Sequence, residues 1–152
     1  MKSLRSIQCY AVLVLVIVSG GLFAQPAGNS VLTNARAVQL KHCTRLTVSF
    51  SFPFRYLTHV PEKKGRELRI QLAPIAVSRV DREAVKSNES IRIMDNNIKV
   101  KIKGIDYEGQ YSLNRPFLII AFDSVVYYKV VPGKDFRSIV VYMDNDAFDS
   151  CE

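Results

Sequence analysis

An alternation of apolar and polar residues with a period of two, sustained over most of the chain, sets the tightest limit on its fold. Leu46, Val48, Phe50, Phe52, Phe54 and Tyr56 occupy even positions, with Thr47, Ser49, Ser51 and Arg55 between them. Successive strand side chains point to opposite faces, so the spacing predicts a half-buried strand, with Pro53 marking a bulge, an edge or a break. Glu62-Lys-Lys-Gly65 reads as a turn, after which Leu68, Ile70 and Leu72 resume the alternation, as in a hairpin or close meander. Ile91-Arg-Ile-Met94 and Ile98-Lys-Val-Lys-Ile-Lys103 flank Asp95-Asn-Asn97, residues that tolerate positive φ and suit a hairpin turn. Asp106-Tyr-Glu-Gly109 reads as the next turn. Three further strands follow at 117–122, 125–131 and 137–143, the last two joined by Pro132-Gly-Lys-Asp135.

Helix-compatible residues gather only between Ser78 and Ser90, where Asp81-Arg-Glu-Ala-Val-Lys86 has the length for one or two turns. No longer amphipathic helix separates the strands, which favours an antiparallel β fold over any α/β fold. The fold class is therefore all-β, a small antiparallel β-sandwich of seven to nine strands, with a partly closed β-barrel as the alternative. The chain divides into residues 1–24, a flexible leader at 25–37, one β domain at 38–143 and a C-terminal tail at 144–152. The 117–122 run has no polar residue, a pattern of strands covered on both faces. Its second cover would come from its own loops, the Ser78–Ser90 segment, the leader or a partner.

Residues 1–24 have the layout of a secretory signal peptide. Lys2 and Arg5 precede the short apolar run from Ala11 to Val18, and small residues lead to a cleavage position at Ala24. The run is shorter than the roughly 20 residues of a membrane span. Export to an oxidising compartment, without a stable span after processing, is the expectation. Processing would remove Cys9 and leave Cys43 and Cys151, which are expected to form one disulfide. Closing a loop of about a hundred residues stabilises by up to about 4.7 kcal/mol.

The formal charge of the whole chain is +7. An excess of this size suits an anionic partner such as a cell-wall polymer or a lipid headgroup, and equally an ordinary solvated surface. No nucleic-acid motif accompanies it. No catalytic constellation emerges either: His59 has no nucleophile elbow, and the carboxylates fall mostly in turns and the tail. His42 beside Cys43 lacks a second ligand pair, and Asp144-Asn-Asp146 lacks the glycine and distal glutamate of a calcium loop, so neither metal nor cofactor is expected.

Lys99, Lys101 and Lys103 are the sharpest feature. On one strand, alternate residues share a face at a spacing of about 6.8 Å, so the three ammonium groups form a row while Ile98, Val100 and Ile102 face the core. The row is a track for an anionic polymer or, alternatively, protection of an edge strand against strand addition. Tyr107, Tyr111, Tyr127, Tyr128 and Tyr142 offer sugar-stacking surfaces or cap a β core.

Leu46-Thr-Val-Ser-Phe-Ser-Phe-Pro-Phe-Arg-Tyr56, followed by Arg66-Glu-Leu-Arg-Ile-Gln-Leu-Ala-Pro74, resembles the AMIN family, small β-domains of exported bacterial envelope proteins. The specific part covers about thirty residues; Tyr107-Glu-Gly109 and Pro116-Phe-Leu-Ile-Ile-Ala-Phe122 extend it loosely. Gln71 stands where such domains often place an acidic residue. The resemblance implies a non-catalytic, periplasmic module of a Gram-negative envelope that binds peptidoglycan or another envelope component. The expected function is recognition of a cell-wall polymer, with Lys99, Lys101 and Lys103 as contacts. The alternative is a protein-interaction subunit that pairs at a β edge.

Overall fold

The computed structural model describes residues 30–75, 78–79, 81–93, 97–109, 115–146 and 151. Residues 1–24, where the sequence reading expects a signal peptide, and most of the tail lie outside the described residues. Eight strands and one helical turn follow in order: β1 (Leu32–Gln39), β2 (Thr44–Phe50), β3 (Phe54–Val60), β4 (Lys64–Pro74), α1 (Arg82–Val85), β5 (Asn88–Ile91), β6 (Ile102–Glu108), β7 (Phe117–Pro132) and β8 (Ser138–Asp144). The fold is all-β and antiparallel throughout, as the alternation requires.

All eight strands belong to one hydrogen-bonded sheet in the order β1-β2-β8-β7-β4-β3, with β6 also on β7 and β5 on β6. β7 makes this possible. Its first part, Phe117 to Phe122, lies between β4 and β6, while Tyr127 to Pro132 pairs with β8. Between them Asp123, Ser124 and Val125 are exposed, and the register against β4 shifts. The 117–122 and 125–131 runs are therefore one bent strand. The bend folds the sheet over a single core in which Leu46 and Val48 from β2, Ile139 and Val141 from β8, Ile70 and Leu72 from β4 and Tyr107 from β6 belong to one cluster. The core is sandwich-like, yet its two layers are halves of one sheet.

The sheet does not close into a barrel. Its seam lies between β1 and β5, where Glu89 reaches across from β5. Its carboxylate accepts from the N–H groups of Val31 (2.7 Å) and Leu32 (2.8 Å) and from the hydroxyls of Ser30 (2.7 Å) and Ser87 (2.9 Å). One side chain thus replaces a row of ladder bonds.

Several boundaries differ from the sequence expectation. Residues 32–37 belong to β1 and not to a flexible leader, because Ala35 and Ala37 pair with Val48 and Leu46 of β2. Small side chains hid an alternation that β2 supplies from the other strand. The turn expected at Asp106–Gly109 is the end of β6: Tyr107 is fully buried, and its hydroxyl donates to the Val85 carbonyl (2.7 Å). Residues 97–101 are irregular, and the β5–β6 register runs from Asn88↔Glu108 to Ile91↔Ile105, so a long loop joins the two strands; most of the turn expected at Asp95–Asn97 lies outside the described residues. Positions 94–96 of that loop lie outside the described residues.

The cover expected over 117–122 comes from a neighbouring side chain. Ile119 lies between Arg69 of β4 and Asp106 of β6 and is only 5% exposed. The Arg69 guanidinium is 2.8 Å from Glu67 on its own strand and 3.9 Å from Glu108 of β6, so the Arg69–Glu108 pair bridges β7 beside Ile119. A long cationic side chain can cover apolar surface while its head stays in water.

Candidate binding face

The outer face of β1, β2, β8 and the second half of β7 gathers side chains from distant parts of the sequence. Register pairs Val38 with Arg45, Arg45 with Tyr142 and Tyr142 with Lys129. These four residues form one row across four strands, spanning about 14 Å at the usual strand spacing. The next row is Arg36, Thr47, Val140 and Val131. Alternation sends all eight outward, because Ala37, Leu46, Val141, Val130 and their equivalents face the core.

Tyr142 thus stands between two cations, half-buried, in a row with Val38, Arg45 and Lys129. Arg36, Arg45 and Lys129 are exposed and have no ion-pair partner among the described residues. Beyond this row, the Lys64 ammonium lies 5.1 Å from the centre of the Tyr127 ring and 3.3 Å from its hydroxyl. Tyr127 pairs with Asp144, the acid nearest the face in register. Cations flanking open aromatic rings are suited to an anionic, sugar-rich chain, which offers charge to the first and ring faces to the second.

Lys99, Lys101 and Lys103 are all exposed, and Ile98 and Val100 are buried, as alternation requires. They do not form one regular strand row, because β6 begins only at Ile102 and Lys103 sits at a register shift against β7. Lys103 lies 3.7 Å from the Asp123 carboxylate, which offsets part of its charge. Lys99 is tied to the end of the basic face: its N–H donates to Gln39 Oε1 (2.9 Å), and its carbonyl accepts from Asn145 Nδ2 (3.4 Å). Gln39 Oε1 also accepts from the hydroxyl of Thr44, next to Arg45. Lys99 therefore adjoins the face at one end, while Lys101 and Lys103 lie by the bend of β7, where the Lys101 carbonyl accepts from the Asp123 N–H (3.1 Å).

That same end carries the disulfide. Cys43 and Cys151 are bonded, with Cα atoms 5.3 Å apart, and Cys43 is buried. The bond anchors residue 151 to the β1–β2 turn.

His59 lies in a different cluster. Its Nε2–H donates to the Glu62 carbonyl (2.9 Å), leaving Nδ1 to accept from the Tyr56 hydroxyl (2.5 Å). Tyr128 donates to the Pro61 carbonyl (3.1 Å), and burial pushes its hydroxyl up to about 12. Burial also raises Tyr56. These bonds hold the β3–β4 turn against the core and present no nucleophile. Among the described residues no group of three or more His, Cys, Asp or Glu side chains could hold a metal ion, and no helix is long and apolar enough to cross a membrane. No family model matches the chain, and no similar curated protein or solved structure was found.

Arg45, Lys129 and Tyr142 were not singled out together by sequence reasoning. Each lies at an outward position of its own strand, but the β2-β8-β7 order that makes them neighbours has no local sequence signal. Glu89 was likewise invisible, an ordinary acid beside a short strand.

Proposed function

We propose that this chain is an exported, non-catalytic envelope module that binds an anionic cell-wall polymer through the outer face of β1, β2, β8 and β7. The observation that carries the reading is the Arg45–Tyr142–Lys129 row, two cations without acid partners on either side of a half-exposed aromatic ring. Lys99 prolongs the contact at the end of that face, and Lys101 and Lys103 extend it toward the bend of β7, where the two faces meet. The signal-like residues 1–24, the disulfide and the resemblance to AMIN domains support an envelope setting. An open sheet face suits a polymer better than a small molecule, which calls for a concave pocket.

Co-sedimentation with purified sacculi tests this. Arg45→Gln with Lys129→Gln should lower retention at least about fivefold, and added salt should lower wild-type retention in the same direction, since exposed charges are screened. Lys99, Lys101 and Lys103 replaced together by Gln should give a smaller loss. Equal retention of wild type and the Arg45/Lys129 variant at low salt would sink the proposal.

A further inference from the structure

We propose that the outer edge of β1 accepts an extended acidic peptide segment of a partner protein as an added strand. The hydrogen-bond parity identifies the available backbone groups. Leu40 N–H donates to the Cys43 carbonyl (2.7 Å), and this pair continues the register of Val38↔Arg45 and Arg36↔Thr47. Bonded and non-bonded pairs alternate in an antiparallel ladder, so Arg36 and Val38 exchange bonds with β2, while Ala35 and Ala37 turn their N–H and C=O groups the other way. The bond from Phe50 N–H to the Arg137 carbonyl (2.8 Å) agrees, because it places the even residues of β2 on β8. No strand pairs with β1 on its outer side among the described residues.

The available stretch is bounded at both ends. Glu89 caps the backbone at Val31 and Leu32, and the bond from Lys99 N–H to the Gln39 side chain closes the far end. Between these points lies a groove of about 470 Å³, with β1 on one side and Arg92, Ile93 and Ile98 on the other. At about 3.3 Å per residue, the gap takes an extended segment of about four to six residues.

The lining determines the partner's chemistry. Arg36 and Arg92 flank the groove, Ile93, Asn97 and Ile98 line it, and no acid lines it among the described residues. A strand alternating acidic and aliphatic residues would set carboxylates beside the two guanidinium groups and apolar side chains against the isoleucines. Main-chain bonds to Ala35 and Ala37 would supply the rest of the affinity, the usual division of labour in strand addition.

The test uses the protein with a fluorescein-labelled peptide of sequence Val-Glu-Val-Glu-Val-Glu, read by fluorescence anisotropy and by the amide resonances of Ala35 and Ala37. Binding should shift both resonances. N-methylation of alternate peptide residues keeps its charge but blocks one edge, and should weaken binding at least about tenfold. The same peptide with Lys for Glu should not bind. Ala35→Pro removes one outward N–H without touching the ladder to β2, and should weaken binding by a similar factor. Arg92→Glu should weaken it several-fold. No binding of the parent peptide at millimolar concentration overturns the proposal, as does equal binding of the methylated peptide, which would mean charge attraction without strand pairing. Should Ala35→Pro fail to fold, the methylated peptide and Arg92→Glu still decide it.

Discussion

On the outer face of β1, β2, β8 and the second half of β7, Arg36, Arg45 and Lys129 have no acid partners among the described residues. On the outer face of β4, β6 and the first half of β7, Arg69 is held between Glu67 and Glu108, and Lys103 lies beside Asp123 near the bend of β7. The two faces belong to one sheet and share a core, so packing alone does not explain the contrast. The paired face uses its arginine to cover Ile119 and balances the charge locally. The open face leaves its cations in water, where they contribute little to stability and remain available to a ligand. Net charge therefore says less about this protein than the distribution of partners across its two faces.

The largest expected effect comes from the bond at the end of the open face. Replacing Cys43 and Cys151 together by Ser should lower stability by up to about 4.7 kcal/mol, since the closed loop spans most of the domain. Urea unfolding with and without reductant measures it. A loss below about 1 kcal/mol would mean that strand pairing alone holds that end of the sheet.

Glu89 joins the two halves across their seam, and Glu89→Gln should reduce stability by about 1–3 kcal/mol, the range for hydrogen bonds to a charged group. Burial pushes its carboxyl up, but the bonds from Val31, Ser30, Leu32 and Ser87 outweigh that and hold it below the ordinary glutamate value. A carboxyl lowered in the folded state contributes stability that is present above its unfolded value and lost as pH falls through the folded one. Wild type should therefore lose more stability than the Gln variant on acidification through and below the usual carboxylate range. Parallel unfolding curves against pH would contradict the seam's role.

Arg69→Ala on the paired face should cost roughly 1 kcal/mol, more through uncovering Ile119 than through the exposed ion pairs, which contribute little by themselves. The loss should persist at high salt. A loss abolished by salt would assign the effect to the ion pairs instead.

Arg45→Gln and Lys129→Gln on the open face should each change stability by less than about 0.5 kcal/mol, because neither side chain has an ion-pair partner among the described residues. Thermal melts check this beside the sedimentation measurements. A substantial destabilisation would remove the contrast between the faces.

The sequence by itself determined the class of fold. Alternation in β2 and β4, the lack of any long amphipathic helix and the turn residues near 62–65 and 132–135 favoured an antiparallel β domain, and the two cysteines at its ends could be paired before any geometry was known. Side-chain alternation is a local property of extended backbone, so it survives in a one-dimensional reading. Tertiary structure decided what local pattern does not encode. Ala35 and Ala37 became strand residues only because β2 lies alongside, Asp106–Glu108 stayed extended because Tyr107 is anchored in the core, and the bend of β7 turned two expected strands into one. Arg45, Tyr142 and Lys129 became a surface through strand order, which depends on which apolar faces pack together across long sequence separations. Glu89 acquired its role in the same way, by lying opposite two N–H groups that the open seam leaves without a strand.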